Sequence, residues 1–158
     1  MKSEDAIRLR DVLNDHGVEY MMVGMGAAII QGFPGTTQDI DIYPSEDEDN
    51  RGKLLSALKS LGFDFDIVVD DRLQFPSQDI LDGKDFIQLK KGPFILDVIF
   101  APDGFENYDE ASKYKKTIDA FPVLGIDGII KNKKSAGRAK DKEVIPRLTV
   151  FSEHLKGR

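Results

Sequence analysis

The chain has 158 residues, of which 41% are hydrophobic and 32% are charged, with a formal net charge of −6 and no cysteine. This length and composition are typical of a globular domain that buries a sizeable core without disulfides or a structural metal. The absence of cysteine excludes thiol catalysis and cysteine-ligated zinc. The acidic balance argues against a general nucleic-acid coat, because phosphate binding needs a basic surface, but it leaves local basic patches open.

The first ten residues, MKSEDAIRLR, lack the apolar stretch of a signal peptide. No apolar run approaches the roughly 20 residues that span a bilayer. We therefore expect a cytoplasmic protein with no membrane partner. Internal repeats and long linkers are absent from the sequence, which predicts a single domain over residues 1–158 with a short helical part from about residue 126.

Apolar periodicity predicts helices and strands in an irregular order. The first half predicts a helix at 4–15, a strand at 19–23, a glycine turn with a short helix to about 32, and a strand at 38–43. The next helix is expected to open at Pro44-Ser45, because Ser45 and Glu48 match a capping box. A strand at 63–69 and a polar loop at 70–83 follow.

The second half predicts a hairpin of strands 86–89 and 94–100, a short helix at 107–114, extended structure at 116–124, and helices at 126–134 and 139–154. Strands and helices therefore mix without a regular βαβ alternation. We predict the α+β class, with a mixed β-sheet flanked by helices.

Two aspartates, Asp39 and Asp41, lie in a predicted strand of otherwise apolar residues within GTTQDIDIYP. Residues i and i+2 of a strand share a face, so the two carboxylates project together from backbone positions about 7 Å apart. Like charges this close repel one another, and a hard divalent cation such as Mg²⁺ relieves the repulsion. A solvent-facing pair on an edge strand is the alternative that the pair alone leaves open.

A third carboxylate, Asp97, lies within the apolar segment PFILDVIF. A lone ionised aspartate in a buried strand costs several kcal/mol without a partner. If this strand lies beside the strand of Asp39 and Asp41, the three carboxylates form a cluster. Such a cluster can hold two Mg²⁺ (or Mn²⁺) ions about 4 Å apart, the spacing that phosphoryl and nucleotidyl transfer use.

The segment VGMGAAIIQGFPGTTQDIDI, residues 23–42, places a glycine turn and a helix before the Asp-x-Asp strand. This order, with a third aspartate later in the chain, resembles the signature of the nucleotidyltransferase superfamily, which has a DNA polymerase β-like fold. The closer likeness is to the small bacterial group of AbiEii-type toxins and minimal nucleotidyltransferases. It is carried by the segment AGRAKDKEVIPRL, residues 136–148, and by Gly24, Ala27, Ala28, Gly32, Pro34, Thr37, Asp39 and Asp41.

The resemblance implies a Mg²⁺-dependent transfer of a nucleotidyl group from a nucleoside triphosphate to an acceptor hydroxyl, on RNA or on a protein. It assigns metal binding and catalysis to three residues, Asp39, Asp41 and Asp97. It assigns nucleotide binding to four residues, Gly24, Met25, Thr37 and Lys140. In this scheme the glycine turn and the start of the following helix face the triphosphate, because glycine permits close approach and free N–H groups favour anions.

Two positions depart from the pattern of this group: Met25 stands where glycine or serine is usual, and Gly35 stands where arginine is usual. Both changes are expected to weaken nucleotide binding more than metal binding. The alternative function is therefore a non-catalytic, degenerate member of the same fold, acting as a binding protein or as a toxin–antitoxin partner. A Mg²⁺-dependent phosphohydrolase would use the same acids. The basic run KNKKSAGRAK, residues 131–140, either contacts RNA or a triphosphate or forms a solvated helix end.

Overall fold

The computed structural model describes residues 3–65 and 86–157. Most of the predicted strand at 63–69 and the whole predicted loop at 70–83 lie outside the described residues. The helices are α1 Ser3–Asp15, α2 Gly24–Ile30, α3 Glu48–Leu61, α4 Tyr108–Ser112, α5 Ile126–Ala136 and α6 Ala139–Lys156. The strands are β1 Tyr20–Val23, β2 Asp39–Pro44, β3 Asp64–Phe65, β4 Phe86–Lys91, β5 Phe94–Ile99, β6 Lys115–Ile118 and β7 Phe121–Leu124.

The strands form one mixed sheet in the order β3-β4-β5-β2-β1-β7-β6. Strand β2 runs parallel to β5 and β1 runs parallel to β7, whereas the other neighbouring pairs are antiparallel. Helix α1 packs beside α3, and α5 packs beside α6. The prediction of an α+β protein with a mixed sheet and flanking helices is therefore confirmed. In the part of the chain that the structure describes, each helix is too short or too polar to cross a bilayer.

The two faces of the central strands differ in burial, and this difference positions the site. In β2, Ile40 and Ile42 are fully buried, whereas Asp39 and Asp41 point to the other face and are half-buried. Strand β5 repeats the alternation, with buried residues at 94, 96 and 98 and half-buried residues between them. One face of the sheet thus supplies the core, and the opposite face forms an open polar surface in the middle of the sheet.

The predicted capping box at Ser45 is wrong. Helix α3 begins at Glu48, and its N-cap is Asp47, whose side chain accepts a hydrogen bond from the backbone N–H of Asp49. The N–H of Ser45 instead donates to the backbone oxygen of Glu19, which extends the pairing between β1 and β2 by one residue. The chain therefore remains extended through Ser45, and the N-cap lies two residues later than the sequence pattern indicated.

Candidate active site

The sheet register brings the acidic side chains together. Asp41 of β2 lies directly opposite Asp97 of the parallel strand β5, and Asp97 lies opposite Gln88 of β4. The amide nitrogen Nε2 of Gln88 donates to Oδ1 of Asp97 at 2.8 Å. Asp39 lies on the same face as Asp41, two residues before it on β2. Asp41, Asp97 and Gln88 therefore form a polar row across three adjacent strands, and Asp39 lies next to this row on β2.

A cavity of about 770 Å³ covers this row. The structure brings all of the site residues predicted from the sequence to its lining: Gly24, Met25, Thr37, Asp39, Asp41, Asp97 and Lys140. Helices α5 and α6 and the turn between them also line the cavity, and this basic wall carries Lys133, Arg138, Lys140 and Arg147. Carboxylates and cations therefore border the same space, which is large enough for a small charged ligand.

The first residue of α2, Gly24, permits the close approach of this helix to β2. Its φ angle is +68°, in the left-handed region that glycine adopts without strain. A methyl group at its Cα would overlap Oδ2 of Asp41. The position therefore needs glycine for two reasons, its backbone conformation and the space that the Asp41 carboxylate occupies.

The environment of Asp41 makes its ionisation unfavourable. Burial is the largest influence and, together with the neighbouring carboxylates of Asp97 and Asp39, it raises the pKa of Asp41 to about 7. The positive charge of Lys133 opposes this rise. A divalent cation bound beside the two side chains would favour the ionised form of Asp41 and lower this pKa again.

The basic wall is organised around a buried carboxylate, Asp141. Its side chain is 0% exposed and accepts from Nε of Arg138 at 2.7 Å and from Nζ of Lys133 at 3.3 Å. Burial works to raise the pKa of Asp141, but the hydrogen bonds and charges of Arg138 and Lys133 outweigh it and lower this pKa. Two cations share one anion, so this cluster keeps one net positive charge at the cavity.

Lys133 and Gln88 were not among the residues predicted from the sequence. Lys133 is 7% exposed and lies on the apolar face of α5, at helical spacing from Ile126 and Ile129. That position is the signal that separates it from the exposed Lys134 in the same basic run. Gln88 alternates with the buried Ile87 and Leu89 along β4, but its role becomes visible only through its partner Asp97.

The other predicted nucleotide-binding residues have distinct surroundings. The hydroxyl of Thr37 accepts from the backbone N–H of Asp39 at 3.3 Å and lies 3.1 Å from its backbone oxygen, so Thr37 holds the start of β2. The side chain of Met25 is half-buried and packs against the core at the edge of the cavity. Lys140 is exposed, and it makes no ion pair with any residue that the structure describes, because Asp141 pairs with Lys133 and Arg138 instead.

The acidic side chains at the cavity are the candidate ligands for a divalent metal. Within residues 3–65 and 86–157, no three acidic or histidine side chains converge closely enough to hold an ion by themselves. Mg²⁺, however, is usually held by one or two carboxylates, with waters and substrate phosphates completing its shell. The adjacent carboxylates of Asp41 and Asp97 fit that mode of binding, and Asp39 as a third ligand stays a prediction.

Comparison with known proteins gives matches of structure alone. Neither a family model nor a curated protein matches the sequence. The structure is similar to that of a Thermotoga maritima protein provisionally assigned as a nucleotidyltransferase, with 18% identity, a TM-score of 0.59, and coverage of 100% of this chain and 97% of that chain. It is also similar to the antibiotic-resistance factor ANT(2'')-Ia, with 15% identity, a TM-score of 0.51, and coverage of 97% and 96%. The chain therefore has a nucleotidyltransferase-type fold.

The contact between Gly24 and Asp41 is tested by Gly24→Ala, with Gly17→Ala as the matched control. Both glycines have φ near +70°, but a methyl group at Gly17 meets nothing within 4 Å. Gly17→Ala should cost about 1 kcal/mol of unfolding free energy through backbone strain alone. Gly24→Ala should cost roughly 2–4 kcal/mol, because it also displaces Asp41. Urea unfolding measures both values, and equal losses would contradict the contact.

The raised pKa of Asp41 predicts how metal-free stability depends on pH. The folded protein holds this proton up to about pH 7, whereas the unfolded chain releases it near pH 4. Stability should therefore fall as pH rises from about 4 to 7, and Asp41→Asn should remove that fall. At pH 8 in EDTA, Asp41→Asn should be more stable than the wild type by on the order of 2 kcal/mol, less than the full shift implies because the carboxyl is partly solvated.

Thermal unfolding between pH 4 and pH 8 checks this prediction. The control is Asp15→Asn, at an exposed position at the end of α1 that does not line the cavity. It should leave the slope of stability against pH unchanged. A destabilised Asp41→Asn protein at pH 8 would show that the carboxyl is not strained in the metal-free state.

Proposed function

We propose that this protein transfers a nucleotidyl group from a nucleoside triphosphate to an acceptor hydroxyl, with Mg²⁺ or Mn²⁺ as its cofactor. One observation carries the proposal: Asp41 and Asp97 lie at the same register of two adjacent parallel strands and line a cavity that also has a basic wall. Carboxylates suit a hard cation, and a basic wall suits a polyphosphate. A nucleoside triphosphate bound through a divalent cation joins the two.

The charges of the site support a place for each part of the donor in this proposal. Lys133 and Arg138 share one buried carboxylate and retain a net positive charge, and Lys140 adds another cation at the cavity. The β- and γ-phosphates are therefore expected to lie against this wall. The α-phosphate is expected at the carboxylate row, where Asp41 and Asp97 meet.

The proposed step uses the side chains of this row. An acceptor hydroxyl gives its proton to Asp97 and attacks the α-phosphorus. The bond from the α-phosphorus to the pyrophosphate oxygen breaks, and pyrophosphate leaves with the bonding electrons. Gln88 orients the Asp97 carboxylate through the 2.8 Å hydrogen bond to Oδ1. When bound, Mg²⁺ neutralises charge that develops on the phosphate oxygens.

Met25 favours a second candidate, a protein of the same fold that binds without turnover. Its side chain packs at the edge of the cavity, at the start of α2, where a smaller residue would leave more room for phosphate. Such a protein could act as the partner of a toxin or regulator. The likeness to AbiEii-type toxins, and RNA or protein as the acceptor, belong to the proposal at the same level. Turnover separates the two candidates, because only the enzyme releases pyrophosphate.

The carboxylates are tested by titrating ATP, GTP, CTP and UTP with Mg²⁺ and following the melting temperature. At least one nucleotide should stabilise the wild type, by about 2.7 kcal/mol at a concentration 100 times its Kd. Asp41→Asn and Asp97→Asn should lose most of this stabilisation, whereas the exposed control Asp15→Asn should retain it. Absence of stabilisation by all four nucleotides would refute the proposal, and release of free phosphate in place of pyrophosphate would indicate a phosphohydrolase.

The basic wall is tested by comparing Lys133→Gln with Lys134→Gln. The two lysines are adjacent in sequence, but Lys133 is buried at the cavity and Lys134 is exposed and does not line it. Lys133→Gln should weaken Mg²⁺·triphosphate binding about tenfold or more, because a charge-assisted contact to phosphate is lost. Lys134→Gln should change it less than twofold. Isothermal titration calorimetry measures both, and similar effects would show that bulk charge attracts the ligand.

A further inference from the structure

The aromatic ring of Phe86, at the first residue of β4, is unusually exposed. Its exposed fraction is 53%, and Ile7 and Val150 are the other large apolar side chains exposed in the part of the chain that the structure describes. Every other phenylalanine whose side chain is described contacts a second aromatic ring or a cationic side chain. Phe86 alone among them has no such contact with another side chain in residues 3–63 and 86–157. Its ring therefore presents a free face to whatever enters the adjacent space.

That space is the candidate active-site cavity. Phe86 lines it, together with Gln88 and Ile99. The burial pattern along β4 places Phe86 and Gln88 on the same face, with Ile87 and Leu89 buried on the other. Two residues along a strand cover about 7 Å. The Phe86 ring therefore lies one step along the strand from Gln88, which holds Asp97 by its hydrogen bond.

Part of the cavity lining next to β4 and β5 is apolar. Phe86 and Ile99 lie directly opposite each other in the β4–β5 ladder, and Ala101 and Pro102 follow Ile99 in the chain. We call these four residues the apolar end, which Asp103 borders, whereas the cations of the basic wall come from other elements, α5, α6 and their connecting turn. A nucleoside triphosphate has the same division, since a flat base is joined to a charged tail. With the phosphates at the basic wall and the α-phosphate at the carboxylates, the base is left to the apolar end.

We propose that Phe86 binds the base of the donor nucleotide by stacking on its free face, an assignment that rests on the proposed function above. Every nucleobase has a π-face, so this contact tolerates all four bases and favours purines modestly. Phe86 supplies affinity for the nucleoside and none for the polyphosphate. It takes no part in the chemical step, which lies at Asp41 and Asp97.

The first experiment uses the absence of tryptophan from the chain. Phe86→Trp creates a single fluorescent reporter at the apolar end of the cavity. Its emission should be quenched by Mg²⁺·ATP and should not respond to Mg²⁺·tripolyphosphate, which lacks a base. The control is Val150→Trp, at another exposed position that does not line the cavity, and its emission should respond to neither. Saturating Mg²⁺·ATP that leaves Phe86→Trp unquenched would overturn the proposal.

The second experiment measures affinity. Phe86→Ala should bind Mg²⁺·ATP roughly 5- to 100-fold more weakly than the wild type. Its affinity for Mg²⁺·tripolyphosphate should stay unchanged, and Phe86→Tyr should retain wild-type affinity for both. Equal losses for both ligands would overturn the stacking role, because the ring would then act through the structure of the site.

The outcomes separate this inference from the proposed function. If the wild type binds Mg²⁺·ATP and Phe86→Ala binds it as tightly, the stacking assignment fails while the proposed function stands. If tripolyphosphate binds and no nucleoside triphosphate binds better, the apolar end receives some other group and the assignment again fails. If the wild type binds neither ligand, the proposed function fails, and the stacking assignment, which rests on it, fails with it.

Discussion

The close approach of two carboxylates across the β2–β5 ladder is the constraint on which the rest of the site depends. Asp41 and Asp97 lie at the same register of neighbouring parallel strands, on the face of the sheet that is not packed into the core. Burial, followed by the negative charge of Asp97, raises the pKa of Asp41, and Lys133 opposes only part of this rise. The fold tolerates this arrangement because the opposite face of the same strands is fully buried, so the backbone cannot move to separate them.

The surrounding residues hold this unfavourable arrangement in place. Gly24 lets α2 begin against the Asp41 carboxylate, at a position where a methyl group would overlap it. Asp141 fixes Lys133 and Arg138 from a fully buried position. A lysine buried without such an anion would lose its proton or move out into solvent. The site thus combines preorganised anions and preorganised cations, which is why we propose a cation-bound polyphosphate as its ligand.

Local patterns predicted much of the fold, and the failures have identifiable causes. The strand predicted at 94–100 and the helix predicted at 126–134 lie close to where they were expected, although only one face of that strand is fully buried. The capping box at Ser45 failed because tertiary pairing with Glu19 kept the backbone extended, which no local motif reveals. The sequence does not single out Lys133 within its run of similar lysines. The structure distinguishes it from Lys134 because Lys133 lies one helical turn after Ile129, on the buried face of α5 and beside Asp141.

The sequence by itself determined the α+β class and the alternation that puts Asp39 and Asp41 on one face. These follow from periodicity and spacing, which act over a few residues. Only the tertiary structure decided that Asp97 faces Asp41, that Gln88 orients it, and that Phe86 stands free at the apolar end of the same cavity. The physical reason is that strand order and register depend on packing between segments far apart in the chain, and a one-residue slip would turn Asp97 to the other face of the sheet.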